Sequence, residues 1–118
     1  MNLFKSSTAL KHQYTSILFS KLSGTGAANA VLSHVFDGTS RMAFLDNATD
    51  ADISVYIVHP SKDGSVVANR LFWLELGASR VLNYDTFGGF LTFDSKTSIY
   101  IANAGSAPTS GKVRIISW

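Results

Sequence analysis

The sequence has no cysteine. That excludes a disulfide framework, a thiolate zinc site and a cysteine nucleophile, and it leaves the redox compartment unreadable. Glutamate and glutamine occur once each, as Glu75 and Gln13. Helix formers with polar ends are therefore scarce, which argues against a helical fold. Charged residues make up only 15% of the 118 residues, well below the usual quarter. Solubility must then rest on Ser, Thr, Asn and Gly, and part of the surface is expected to be covered in the working state. No apolar run approaches the roughly 20 residues that span a bilayer, and Met1 to Lys11 lacks the apolar core of a signal peptide. Neither a membrane nor nucleic acid is the expected partner: the net charge is +2 and the ten Lys and Arg are scattered.

What is present is apolar and β-prone. Hydrophobic residues reach 46%, too many for a disordered chain, and Val, Ile, Thr, Phe and Tyr are plentiful. At this length about two-thirds of the unfolded surface can be buried, enough for one core. Short apolar runs alternate with turn residues. Strands are predicted over 30–36, 41–45, 52–59, 67–76, 80–84, 90–93, 98–102 and 112–118. The clearest, 52–59, puts Ile53, Val55 and Ile57 on one face and Ser54, Tyr56 and Val58 on the other. Pro60 ends it. Residues 46–50 are read as an Asx-rich loop. In the last strand two faces compete for the core, Val113 with Ile115 or Ile116 with Trp118. About eight strands at this spacing, with no helical crossover, predict an all-β fold of antiparallel strands, a two-sheet sandwich or a small barrel.

Residues 1–28 differ from the rest. They are rich in Ser and Thr, hold one apolar knot at Ile17, Leu18 and Phe19, and end in Gly24-Thr25-Gly26, a flexible break. They are predicted to be an extended N-terminal arm or an edge strand, with a short helix over 7–13 as an option. Residues 29–118 are predicted to form the β-sandwich domain.

Catalytic chemistry finds little purchase. His12, His34 and His59 lack ligand spacing and a carboxylate frame, so strand-face or loop positions are the plainer assignment. Asp46, Asp50 and Asp52 could supply calcium oxygens, but Asp50-Ala51-Asp52 offers two carboxylates where six to eight oxygens are wanted. Gly24-Thr25-Gly26 and Gly88-Gly89 are not phosphate loops, since neither opens a helix with the required Lys. No serine sits in a Gly-x-Ser-x-Gly elbow. Glu75 with an aspartate is the weak remaining case for a glycosidase. Asn47-Ala48-Thr49 fits the glycosylation pattern and is read as incidental. The chain is expected to be no enzyme and to need no cofactor or metal.

The aromatics carry more weight. Trp73, Tyr84, Tyr100 and Trp118 could line a sugar platform, or stack bases beside Arg41, Arg80 and Arg114. Core filling and subunit contact are favoured, because Trp anchors interfaces. The candidate interface residues are Ile17, Leu18, Phe19, Trp73 and Trp118.

Residues 41–118 also carry a pattern of strands and turns. It runs from Arg41-Met42-Ala43-Phe44-Leu45 through Asp46-Asn47-Ala48-Thr49-Asp50-Ala51-Asp52 into Ile53-Ser54-Val55-Tyr56-Ile57-Val58. Leu71-Phe72-Trp73-Leu74-Glu75-Leu76-Gly77 and Gly89-Phe90-Leu91-Thr92-Phe93 follow, and Ser98-Ile99-Tyr100-Ile101 and Lys112-Val113-Arg114-Ile115-Ile116 close it. This resembles small structural proteins of tailed-bacteriophage virions. The resemblance implies a β-sandwich of jelly-roll-like form, located in the virion, and it carries over no catalytic residue. It further implies capsid decoration, the chain acting as a cement protein that stabilises the shell. Head–tail connector, tail or baseplate piece, and fibre base are the alternatives, and a lectin-like carbohydrate-binding sandwich is a further one. The partners implied are other virion proteins, the major capsid protein first, and further copies of the chain, a trimer being one form.

Overall fold

A computed structural model describes residues 13–38, 40–58, 72–83 and 96–118. Among the described residues eight strands form, β1 (Gln13–Leu18), β2 (Val31–Val35), β3 (Ala43–Asn47), β4 (Ile53–Val58), β5 (Phe72–Leu74), β6 (Ser79–Leu82), β7 (Ser98–Asn103) and β8 (Lys112–Ser117). Single 3-10 turns occupy Phe19–Lys21 and Ala27–Asn29. The strands make two antiparallel sheets, ordered β1-β8-β3-β6 and β2-β7-β4-β5. Each sheet interleaves strands from both halves of the chain, as two nested Greek keys require. This is the jelly-roll order.

The core lies between the sheets and follows the period-two rule. From the first sheet come Ile17, Ala43, Leu45, Leu82, Val113 and Ile115; from the second come Ile53, Val55, Ile57, Phe72, Leu74, Ile99 and Ile101. Leu22 and Phe36, each 1% exposed, close the ends. Val113 and Ile115 face inward and Ile116 does not, so the competition in the last strand is decided. β4 is buried along its whole length, its Ser54, Tyr56 and Val58 face included.

Several boundaries shift. Gln13 opens β1 and is not helical, and residues 7–12 of the suggested helix lie outside the described residues. Gln13–Leu18 is an edge strand of the first sheet, paired along its length with β8. The strand predicted at 41–45 runs instead over Ala43–Asn47, because Asp46 and Asn47 keep pairing with β8 where a loop was expected. β5 stops at Leu74, so Glu75 and Leu76 lie in the turn before β6. Gly24-Thr25-Gly26 is no loose break: Thr25 bridges Asn103, and Gly24 O accepts the Asn103 N–H at 3.1 Å. The predicted strand 90–93, the turn around Gly64, Gly88-Gly89, Tyr84, His12 and His59 lie outside the described residues.

A bulge in β2 sets up the most polar part of the interior. Leu32 opposes Tyr100 and His34 opposes Ile99, so Ser33 is the extra residue. Strict alternation from the inward Val31 would turn His34 out. The added residue rotates it in, and both Ser33 and His34 become buried.

Candidate interaction surface

The outer face of the β1-β8-β3-β6 sheet is built in transverse rows. Residues between the core positions necessarily point outward. Register aligns Tyr14, Ile116, Phe44 and Val81 straight across all four strands. Tyr14 is 56% and Val81 37% exposed, and Ile116 and Phe44 are half-buried. The next row is polar: Ser16, Arg114, Asp46 and Ser79. Arg114 pairs with Asp46 through its guanidinium, Nε lying 3.0 Å from Oδ2, and Ser79 Oγ donates to Oδ1 at 3.0 Å. On the other side, Met42 and Trp118 continue the ladder by reciprocal main-chain hydrogen bonds of 3.1 Å, and alternation places them on the same face. A flat apolar strip thus lies against a charged strip.

The five residues named from sequence do not share one surface. Ile17 packs on the core. Leu18, 55% exposed, lies on the outer face at one end of β1, and Trp118 at the opposite end of β8. Phe19 is half-buried in the 3-10 turn. Trp73, 52% exposed, projects from β5 on the other sheet, across from Ser54. Trp73 and Tyr100 share that second outer face and Trp118 does not, so these aromatics form no single sugar platform. Tyr14, Phe44, Val81 and Ile116 were missed. Their signal was present, since Ala43-Phe44-Leu45 and Ile115-Ile116 put apolar residues on both faces of a strand, which a one-sided core does not need.

Polar clusters elsewhere are internal ties. His34 is held between sheets, Nδ1 2.8 Å from Thr15 Oγ and Nε2 2.8 Å from Ser117 Oγ. Ser117 Oγ donates to Gln13 Oε1 at 3.3 Å, so it accepts from Nε2–H, and Nδ1 accepts from Thr15. Burial pushes the His34 pKa below its ordinary 6.5, against the weaker pull of Asp37. His34 lies on β2, as a strand position predicts, but it is buried, with both ring nitrogens hydrogen-bonded.

The three aspartates diverge. Asp46 is taken by Arg114. Asp50 accepts from the Thr109 N–H at 2.7 Å, the Thr109 hydroxyl and the Ser110 N–H at 3.3 Å, and the Thr109 hydroxyl bond above all holds its carboxyl below the usual range. Asp52 accepts from the Leu76 N–H at 3.0 Å. Asp50 and Asp52 border an open cleft of about 280 Å³ with Leu76 and Gly105. Among the described residues no three His, Asp or Glu side chains converge as metal ligands would. Asn47 makes the Asx turn expected of its loop, its Oδ1 accepting from the Thr49 N–H at 3.1 Å. Arg80 is committed to the fold, with its guanidinium 4.5 Å above the Phe72 ring across the sheet gap. Glu75 is exposed in the turn after β5.

No protein-family model matches the chain, and no curated protein matches it. Solved structures resemble its backbone, two of them forms of one enzyme. One is the hydroxypropylphosphonic acid epoxidase from S. wedmorenis, at 12% identity and a TM-score of 0.47, covering 91% of this chain and 42% of the epoxidase chain. The other is the Co(II) form of that enzyme with Tris buffer, at 11% identity and 0.47, covering 91% and 44%. The chain spans less than half the length of either. At that level of likeness none of the epoxidase's chemistry passes to it.

Proposed function

We propose that the protein is a non-enzymatic structural component of a bacteriophage virion, a decoration or cement protein that acts through subunit contacts. The observation that carries this reading is the half-exposed apolar row Tyr14–Ile116–Phe44–Val81, which crosses a whole sheet face. A row of this kind leaves apolar area in water unless a partner covers it. Jelly rolls serve as capsid domains and as lectins alike, so the fold alone does not choose. The resemblance of residues 41–118 to phage structural proteins favours the capsid, with the major capsid protein as partner. Connector, tail, baseplate and fibre-base positions are the alternatives. Weak contacts gain by repetition around a symmetric particle.

The test is location. Antibody raised against the pure protein is expected to label tailed particles, at repeated positions, in lysates of the host that carries the sequence. Label confined to the soluble fraction would sink the reading.

A lectin-like role is the second reading, and Trp73 is the observation behind it, since a half-exposed tryptophan on a sheet face can stack on a sugar. Tryptophan fluorescence titrated with oligosaccharides distinguishes the two. A saturable response lost in Trp73→Ala supports the lectin, and a flat response supports the structural protein.

A further inference from the structure

We infer that the outer face of the β1-β8-β3-β6 sheet binds a second copy of this chain about a two-fold axis. The axis runs parallel to the strands, between β8 and β3. The inference rests on the structural reading above and names a partner for that face.

The argument is self-complementarity. Such an axis keeps each row at its height and reverses the strand order within it. Ile116 then lies over Phe44 of the second copy, and Tyr14 over Val81 of the second copy. In the neighbouring row Arg114 lies over Asp46 of the second copy, and Asp46 over its Arg114. All these residues share one face by register. Apolar meets apolar and each charge meets its opposite, twice, as an isologous contact requires. An axis along the rows would instead lay the charged row against Met42 and Trp118, so the geometry selects one arrangement. Aligned sheet packing turns the two faces by roughly 30°, which keeps the central β8 and β3 pairs in register and splays the edges. Four strands by three rows give about 400 Å² of plan area per copy. The total of about 800 Å² lies below the roughly 1,000 Å² of a stable interface, so the dimer is weak and depends on concentration.

Sedimentation equilibrium of the full chain from about 10 µM to 1 mM tests this. The wild type is expected to pass from monomer to dimer. Asp46→Arg alone sets like charges opposite each other, and so does Arg114→Asp. Each is expected to weaken self-association by at least about tenfold. Mixed together, the two variants are expected to associate again, because each copy then carries the charge the other needs. Phe44→Asp is expected to stay monomeric, while Leu32→Asp, at a residue 52% exposed on the other sheet, associates like wild type. Thermal melts confirm that each variant is folded. A wild type that is monomeric throughout overturns the inference. So does a trimer, or a mixture of the charge variants no stronger than either alone. This readout needs only pure protein: dimers without particle labelling leave this inference and remove the virion reading, and labelling by a strict monomer does the reverse.

Discussion

Single side chains hold the two sheets together at both ends. Asn47 is fully buried at the end of β3, and its Nδ2 donates to Leu74 O at 3.0 Å and to Ala51 O at 2.9 Å. Its Oδ1 accepts from the Thr49 N–H and hydroxyl. Asn47→Leu cannot make these bonds, and leaving such groups without partners is expected to cost about 2–4 kcal/mol, read as a lower urea midpoint. Gly111 has a different constraint. Its φ is +88°, and a Cβ there would lie 2.0 Å from the Ala48 carbonyl oxygen. Gly111→Ala is expected to lose about 3 kcal/mol, seen as a fall in Tm of roughly 10 °C or more. His34 sets a pH dependence. Its folded pKa lies below the unfolded value of 6.5, so between the two the unfolded chain binds more protons. Stability is therefore complete above about pH 6.5 and falls as pH drops through that value toward the folded pKa. Denaturant midpoints at pH 7.5 and 5.5 are expected to differ for wild type and to converge in His34→Gln. Equal slopes would show that another group drives the change.

At the scale of elements, β1 decides more than its edge position suggests. It supplies Ile17 to the core and Thr15 and Gln13 to the His34 network, and it pairs with β8 over six residues. A chain beginning at Asn29 loses all of this and leaves β8 as an open edge beside a buried histidine. It is expected to lose its cooperative melt, and a sharp transition near the wild-type Tm would contradict the role given to β1. Gln13 Nε2 also donates to Val35 O at 3.2 Å, which ties β1 to the opposite sheet. At the opposite end Asn103 does the same for the segment after β1, with Nδ2 donating to Leu22 O at 2.9 Å. The sequence marks 13–18 only as a polar stretch with an apolar knot. Its alternation of Ile17 with exposed Ser16 and Leu18 was too short to assign without knowing that β8 lay beside it.

For the whole molecule, a chain with 15% charge carries a half-exposed apolar row across one sheet face. Association through the β1-β8-β3-β6 face covers that row and leaves the second sheet's Trp73 in water. Trp73→Ala is accordingly expected to leave self-association unchanged. A weaker self-association would place Trp73 in an interface.

Local pattern settled a great deal of this protein. Turn residues and period-two alternation are short-range properties, so the all-β class, β2, β4, β7 and β8, and the two faces of β4 were legible directly. The scarcity of helix formers and the lack of any cysteine did not depend on the fold. Other features waited for long-range pairing. Strand order, and with it the jelly roll, depends on which strands meet across the chain. Asp46 and Asn47 read as loop because only pairing with β8, and for Asp46 also with β6, makes them strand. His34 points inward because a bulge opposite β7 adds one residue, and no local pattern announces a bulge. The apolar row exists because register brings Tyr14, Ile116, Phe44 and Val81 level. Residues scattered through the sequence become one surface only when hydrogen-bonded ladders fix their heights.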